Sequence, residues 1–228
     1  MTWNGSSFLA FAALLTLALV PWFAQAAGSS GGGFSSTQSS PVKTPEQISQ
    51  GHYKSGVRQK ERAWKLEQKA ADAPNEKKRD RHLAKARKAF EKAAKFQTKS
   101  LKANPRNYEA ANELGYALRQ LGDYEQALTA YNRALSLHPG FMPAVEYRGE
   151  AYLHLGRYED AQSAYMLLVQ RDAELAGQLM ASFQAWLSSR TNSGESMSDA
   201  ESAFAAWVGE RKELAAVDAT SREAGARW

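Results

Sequence analysis

Residues 108–141, YEAANELGYALRQLGDYEQALTAYNRALSLHPGF, decide the fold, because the chain repeats them at once as MPAVEYRGEAYLHLGRYEDAQSAYMLLVQRDAEL, residues 142–175. Each copy is 34 residues long, and ten aligned positions carry the same residue. The matching pairs are Ala110/Ala144, Gly115/Gly149, Ala117/Ala151, Leu121/Leu155, Gly122/Gly156, Tyr124/Tyr158, Glu125/Glu159, Ala127/Ala161, Ala130/Ala164 and Tyr131/Tyr165. A fixed period of this length is typical of proteins built from stacked, equivalent units.

Each copy predicts a pair of antiparallel helices. Gly115 is small where two helices approach closely, and Tyr131 supplies a large side chain that fills the space beside it. Gly122 and Gly156 each follow an apolar helical run, where a left-handed residue closes a helix. Pro139 cannot continue the second helix, so the next helix must begin beyond it. Apolar residues recur at helical spacing from residue 45 onward, which predicts an all-α fold class.

A third copy is partly visible upstream, where residues 90–105 align with 124–139 at the same offset. Its second helix is clear from this alignment. Its first helix is expected after Pro45, within residues 46–71, and displaced by an insertion around 73–75. The chain therefore carries between two and a half and three copies, which is near the minimum for a stable stack.

Two further helices are expected to cover the end of the stack. Asp172 can cap the first of them, and Ser198 with Glu201 forms a capping box ahead of the second. The second helix either packs back on the stack or binds a partner, and its apolar row favours packing. The predicted boundaries are 45–105 for a basic helical segment with the degenerate first repeat, 106–175 for two repeats, 176–215 for capping helices and 216–228 for a tail.

The repeat resembles the tetratricopeptide repeat, whose signature is W-x2-L-G-x2-Y, then A-x3-F, then P. In the first copy Leu114-Gly115, Leu118, Ala127, Tyr131, Ala134 and Pro139 occupy those places. The resemblance implies a short solenoid of helical hairpins with C-terminal capping helices. It also implies a concave groove, lined by the first helix of each hairpin, that grips a protein or peptide segment.

The resemblance assigns the groove to particular positions. These partner-binding candidates are Asn112, Tyr116, Arg119 and Gln120 in the first copy, and Glu146, Glu150, Leu153 and His154 in the second. Tyr116 and Arg119 are the principal candidates, because aromatic and arginine side chains dominate interface hot spots. Groove positions are expected to be solvated in the free protein. The set is mixed in charge and does not match the Lys/Asn pattern by which chaperone-binding members hold a terminal carboxylate.

The first residues predict export. Residues 1–26 contain no Lys, Arg, Asp or Glu, the run Phe8–Val20 is apolar, and Ala24 and Ala26 form a cleavage pattern. A periplasmic or secreted protein that begins near Ala27 is expected, with residues 27–44 as a flexible Gly/Ser linker. The alternative is an uncleaved membrane anchor through residues 8–26, since the tryptophan and phenylalanine after Pro21 lengthen the apolar stretch.

Charge divides the remaining chain. Residues 43–104 carry 18 Lys/Arg and 7 Asp/Glu, a net charge of +11, whereas residues 105–228 carry 11 and 17, a net charge of −6. Lysines recur at helical spacing along 85–102. This row is either an ordinary solvated helix face or a functional surface that attracts anionic partners.

Catalytic and metal sites are not predicted. The chain has no cysteine, and its four histidines, His52, His82, His138 and His154, do not share a helix face at ligand spacing. No cofactor and no nucleic-acid partner are expected. Two hypotheses follow: a non-enzymatic protein–protein adaptor or scaffold in the bacterial envelope, or a surface-attachment protein whose basic helices bind an anionic polymer or lipid. The partner's identity and the oligomeric state are left open by the sequence.

Overall fold

The computed structural model describes residues 42–194 and 196–225, with side chains as far as residue 214. That part of the chain folds into helices joined by short turns, without a β-strand. The helices are α1 Pro45–Ala71, α2 Glu76–Ala103, α3 Tyr108–Gln120, α4 Tyr124–Leu137, α5 Met142–His154, α6 Tyr158–Arg171, α7 Ala173–Asn192 and α8 Asp199–Gly225. The predicted all-α solenoid of helical hairpins with C-terminal capping helices is confirmed.

The signal segment and most of the Gly/Ser linker lie outside the described residues, so their predictions stay predictions. Among the helices that are described, none has a stretch both long enough and apolar enough to cross a bilayer.

The two 34-residue copies fold as the hairpins α3–α4 and α5–α6. Gly122 and Gly156 close the first helix of each hairpin with positive φ angles of 84° and 70°, as predicted. The backbone N–H of Asp123 donates to the carbonyl of Leu118 across the first turn (2.9 Å), and that of Arg157 to Tyr152 across the second (2.9 Å). These bonds satisfy carbonyls that a helix end would leave free.

Two buried glycines allow the helices to pack closely. A Cβ added at Gly115 would lie 2.5 Å from Cε1 of Tyr131, whose ring is fully buried. A Cβ added at Gly149 would lie 2.7 Å from Cδ2 of Leu179 and 3.2 Å from Cβ of Ala164. The prediction that Tyr131 fills the space beside Gly115 is confirmed. In the second copy the space is filled by α7.

The first hairpin, α1–α2, is about twice as long as the others because α2 has no break. At an offset of 34 residues, Arg87-Lys88-Ala89 align with Leu121-Gly122-Asp123, which end the first helix of the next copy. The first copy has no glycine there, so α2 continues. The residues 73–75, predicted as an insertion, are the turn of this hairpin, and Asn75 caps α2 by accepting from the N–H of Lys78 (3.0 Å). The first repeat therefore differs from its prediction in the position of its turn.

Small residues hold α1 against α2. The buried positions of α1 are spaced seven apart and are Ser49, Gly56, Ala63 and Ala70. This heptad spacing keeps one narrow face toward the partner helix, as in a coiled coil. At the open end of the hairpin the hydroxyls of Ser49 and Ser100 lie 2.8 Å apart in a hydrogen bond.

The C-terminal helices close the stack as predicted. Asp172 caps α7 by accepting from the N–H of Leu175 (3.1 Å), and Ser198 and Glu201 form the reciprocal bonds of a capping box (3.2 and 2.8 Å). Phe204 and Val208 of α8 are buried in the cluster that α6 and α7 form, so α8 packs back on the stack. The helix extends to Gly225, beyond the boundary expected at residue 215.

Candidate functional site

The candidate groove is the face shared by α1, α3, α5 and α7, which are the first helices of successive units. Each of these helices contacts the next one: α1 lies against α3, α3 against α5, and α5 against α7. The second helices α2, α4 and α6 lie behind them and pack against their own hairpin partners. The resemblance placed the partner-binding residues on α3 and α5, in the centre of this face.

Polar contacts join α1 to α3. The indole N–H of Trp64 donates to the hydroxyl of Tyr116 (2.7 Å), and the two rings meet edge to face with centroids 5.8 Å apart. One helical turn earlier on each helix, the ammonium of Lys60 pairs with the carboxylate of Glu113 at 2.6 Å. Both contacts are largely removed from solvent, so they fix the two helices side by side.

A second set of contacts joins α3, α5 and α7. The guanidinium of Arg119 forms an ion pair with Glu150 on α5. Glu150 also accepts a hydrogen bond from the hydroxyl of Ser182 on α7 (2.9 Å). Arg119 lies 5.2 Å from the ring centre of Tyr116 and 5.4 Å from that of Tyr147, which is within cation–π range. One arginine thus contacts its own helix α3 and the next first helix, α5.

Most of the predicted groove residues are buried, so the expectation that they are solvated is wrong. Their exposed fractions are 4% for Asn112, 8% for Tyr116, 6% for Arg119, 2% for Glu146, 7% for Glu150 and 2% for Leu153. Neighbouring first helices approach closely enough to cover these side chains with their own. Tyr116 and Arg119 therefore hold the repeats together, whatever partner they contact in addition.

Two predicted residues remain accessible. Gln120 is half-buried and His154 is exposed. The imidazole of His154 stacks on the ring of Tyr124 with centroids 4.6 Å apart and planes 8° from parallel. Gln120 lies four residues after the buried Tyr116, and His154 lies four residues after the buried Glu150. Each is therefore on the same helix face as that buried residue. The assignment of the full set to partner binding stays a prediction.

Burial controls the ionisation of the acidic groups around Arg119. Burial raises the pKa of Glu146 to about 7, and Arg119 opposes this shift because its positive charge favours the carboxylate. Burial likewise raises the pKa of Glu67 on α1 to about 7, and Arg119 again opposes the shift. Oε2 of Glu146 and Oδ1 of Asn112 are buried without a hydrogen-bond partner in the described part of the chain. The groove face therefore contains two carboxyl groups, those of Glu146 and Glu67, that titrate near neutral pH.

We expect Glu146 to make the protein less stable as the pH rises from 5 to 8. Glu146 keeps its proton up to about pH 7 in the folded state, whereas its ordinary pKa is 4.5. The folded state therefore binds more protons between these values, and its stability falls with rising pH across that window. The variant Glu146→Gln should show a smaller fall in melting temperature from pH 5 to pH 8 and should melt higher at pH 8. The exposed Glu210→Gln is the control, and an unchanged slope in Glu146→Gln would contradict the assignment.

Sequence reasoning missed several residues of this network: Lys60, Glu113, Tyr147 and Ser182. Sequence reasoning also assigned no contact to Trp64. The seven-residue spacing of small residues in α1 could have located Trp64. This spacing fixes the side of α1 that faces α2, and therefore also the side that faces α3. The residues on α7 had no comparable signal.

The described residues hold no cluster of three or more His, Asp and Glu side chains that could bind a metal ion. His138 and His154 contact different tyrosines, Tyr108 and Tyr124, at different turns of the stack. The arrangement on the groove face is one of helix-to-helix contacts, and it suits recognition of a surface or a segment.

Comparisons with known proteins find one matching family model and several similar solved structures. The family model described as "Tetratricopeptide repeat" matches residues 75–140 and 113–176. No curated protein matches the chain. Similar solved structures include the first TPR of Spaghetti (RPAP3) bound to the HSP90 peptide SRMEEVD, with 21% identity over 56% of this chain and 94% of that one and a TM-score of 0.39. MamA AMB-1 shares 25% identity over 57% of this chain and 72% of that one, with a TM-score of 0.37. MamA MSR-1 shares 24% over 59% and 74%, with a TM-score of 0.34.

The family match spans α2 to α6 and the first residues of α7, which include both complete copies of the repeat and the groove-face helices α3 and α5. Residues 75–176 are therefore similar to tetratricopeptide repeats.

Proposed function

We propose that this protein is a non-enzymatic adaptor of the bacterial envelope that binds a segment of a partner protein along its groove face. The observation that carries the proposal is the chain of contacts from α1 to α7, which fixes four first helices as one continuous surface. A surface that is already ordered before binding loses little conformational freedom on association. The repeats themselves support a role in protein–protein interaction.

The buried network limits where a partner can make contact. Because Tyr116 contacts Trp64 and Arg119 pairs with Glu150, a partner reaches these buried residues only by opening contacts between repeats. Gln120 and His154, at the ends of α3 and α5, are accessible and can bind a partner without opening these contacts. The proposal therefore places the partner on these residues and treats the buried residues as their support.

The location in the envelope is proposed from the sequence alone. The apolar run Phe8–Val20 is followed by Ala24 and Ala26 at the spacing that signal peptidases cleave. A protein exported in this way would meet partners in the periplasm or at the cell surface.

The test is crosslinking in intact cells followed by purification of the full chain. We expect the double variant Gln120→Ala, His154→Ala to lower the yield of the crosslinked partner by tenfold or more, since ~1.4 kcal/mol of lost contact is tenfold in affinity. The matched control is Gln170→Ala, His138→Ala, which removes an exposed glutamine and an exposed histidine from α6 and from the end of α4. Melting curves check that both variants are folded.

The adaptor proposal requires the two variants to differ. A partner that is lost equally from both, or from neither, would contradict binding along the groove face.

A further inference from the structure

A row of cations occupies the outer face of α2. Its members recur at helical spacing and are all exposed: Lys78, Arg81, Lys85, Lys88, Lys92, Lys95, Lys99 and Lys102. At ~1.5 Å per residue the row extends over roughly 36 Å. The buried residues of α2, such as Phe90 and Ala93, lie on the opposite side of the helix. We call this row, with Arg62 of α1, the lysine face.

Arg62 joins the lysine face across the seam of the hairpin. A shallow depression between α1 and α2 is lined by Gln59 and Arg62 from α1 and by Lys85, Lys88, Ala89 and Lys92 from α2. The lysine face is thus two helices wide at its centre. It belongs to the first hairpin and is separate from the groove residues of α3 and α5.

The charge of the lysine face contributes little to the fold, although the ammonium of Lys99 lies 5.8 Å from the ring centre of Phe96. Within the described ranges, none of its cations forms an ion pair, whereas Arg79 pairs with Glu76 and Arg87 with Glu91 beside it. Nine uncompensated cations on one surface repel each other, which costs stability unless an anion is present. A surface kept solvated for solubility alone does best with interspersed charges of both signs.

We propose that the lysine face binds the surface of an anionic phospholipid bilayer. An exposed row at helical spacing presents many cations on one side of the hairpin, and each Lys or Arg near an anionic leaflet adds to the attraction. Nucleic acid is disfavoured because single-strand binders interleave aromatic stacking platforms with their cations. The phenylalanines of α2 do not form such a platform, because Phe90 is buried and the half-buried Phe96 lies against His52 of α1.

The position of the lysine face in the chain favours lipid as the anion. The apolar run Phe8–Val20 comes before α1, and the 18 residues 27–44 that precede the helix can span at most ~60 Å at ~3.4 Å per residue. Export would carry the hairpin across a bilayer whether or not cleavage follows Ala26. A polybasic surface is one of the signals that attach a protein to a membrane, and an uncleaved apolar run would be a second.

The experiment measures binding of the full-length chain to vesicles of phosphatidylcholine, with and without phosphatidylglycerol. Binding to the neutral vesicles reports any contribution of the apolar segment, and the excess on anionic vesicles reports the lysine face. We expect that excess to disappear when salt is raised from ~0.1 M to ~1 M, since the Debye length falls from about 10 Å to about 3 Å. The triple variant Lys85→Glu, Lys88→Glu, Lys92→Glu should lose the excess by at least about tenfold.

A second triple variant, Arg106→Glu, Arg171→Glu, Lys212→Glu, changes the net charge equally at exposed positions outside the lysine face and should retain the excess within about twofold. Circular dichroism confirms that both variants are folded. Equal loss in the two variants, or the absence of an excess on anionic vesicles, overturns the proposal. Salt-sensitive binding to soluble poly-glutamate without an excess on vesicles would also overturn it, in favour of an acidic polymer.

Discussion

Replacing Gly115 by alanine is expected to destabilise the protein although it adds only one methyl group. The new Cβ would lie 2.5, 2.7 and 2.9 Å from three carbons of the Tyr131 ring. Real Cβ atoms do not approach other atoms so closely, so the ring or α3 must move. Tyr131 is fully buried among helices α3, α4 and α5 and has no free space to enter. Overpacking of this kind costs ~1–3 kcal/mol, and Gly115→Leu should cost more.

Gly177→Ala is the matched control, because this glycine is also inside a helix but has nothing within 4 Å of the added Cβ. Alanine is the better helix former there, so this variant should gain roughly 0.5–1 kcal/mol. The two substitutions are chemically identical and are expected to change the melting temperature in opposite directions. A Gly115→Ala protein that melts at or above the wild-type temperature would mean that α3 and α4 do not cross closely at this point.

The close crossing at Gly115 could be predicted because its signals are local and occur twice. Gly122 and Gly156 mark helix ends, and the repeated glycines Gly115 and Gly149 mark buried positions at the same place in each copy. When a pattern recurs at a fixed offset, each copy confirms the interpretation of the other. The helices α3 to α6 follow directly from these positions.

The length of the first hairpin could not be predicted in the same way. The sequence has no positive signal for a helix that continues through residues 87–89. The continuation follows from the absence of a glycine at position 88, where a break would be expected by analogy with Gly122. The alignment therefore suggested a displaced first helix and an insertion, where the structure has two long helices joined by a turn at residues 72–75.

The burial of the groove residues depends on contacts that no local pattern encodes. Trp64 reaches Tyr116 across 52 residues of sequence, and Ser182 reaches Glu150 across 32. A family-based assignment identifies the helix face on which a residue lies. It does not determine how closely the neighbouring helices approach that face in this chain.

This distinction decides how partner binding can be tested. Loss of binding in a Tyr116 or Arg119 variant would not identify a contact residue, because the same change removes interactions that hold the repeats together. The accessible residues Gln120 and His154 lie outside the Arg119 ion pair, so their removal leaves that pair in place. His154→Ala also removes the stacking on Tyr124, and melting curves show whether that loss affects the fold. The buried network can instead be tested through stability.

Arg119→Ala is expected to be among the most destabilising single substitutions in the stack. It removes the guanidinium that pairs with Glu150 and offsets the negative charges of Glu146 and Glu67. Breaking a buried pair from one side leaves an uncompensated charge and typically costs about 3–5 kcal/mol. Total stabilities are only ~5–15 kcal/mol, so the variant should lose a large part of its stability in a denaturant titration.

A second substitution separates this electrostatic cause from simple loss of packing. In the Arg119→Ala background, Glu150→Gln removes the unpaired charge but keeps an oxygen that can accept the hydrogen bond from Ser182. The double variant should therefore be more stable than Arg119→Ala alone, and Arg119→Ala should regain stability toward pH 5, where buried carboxyl groups take up protons. Arg79→Ala, which breaks an exposed pair with Glu76, should change little. If neither Glu150→Gln nor a lower pH raises the stability of Arg119→Ala, then Arg119 stabilises the repeats through its packing and not through its charge.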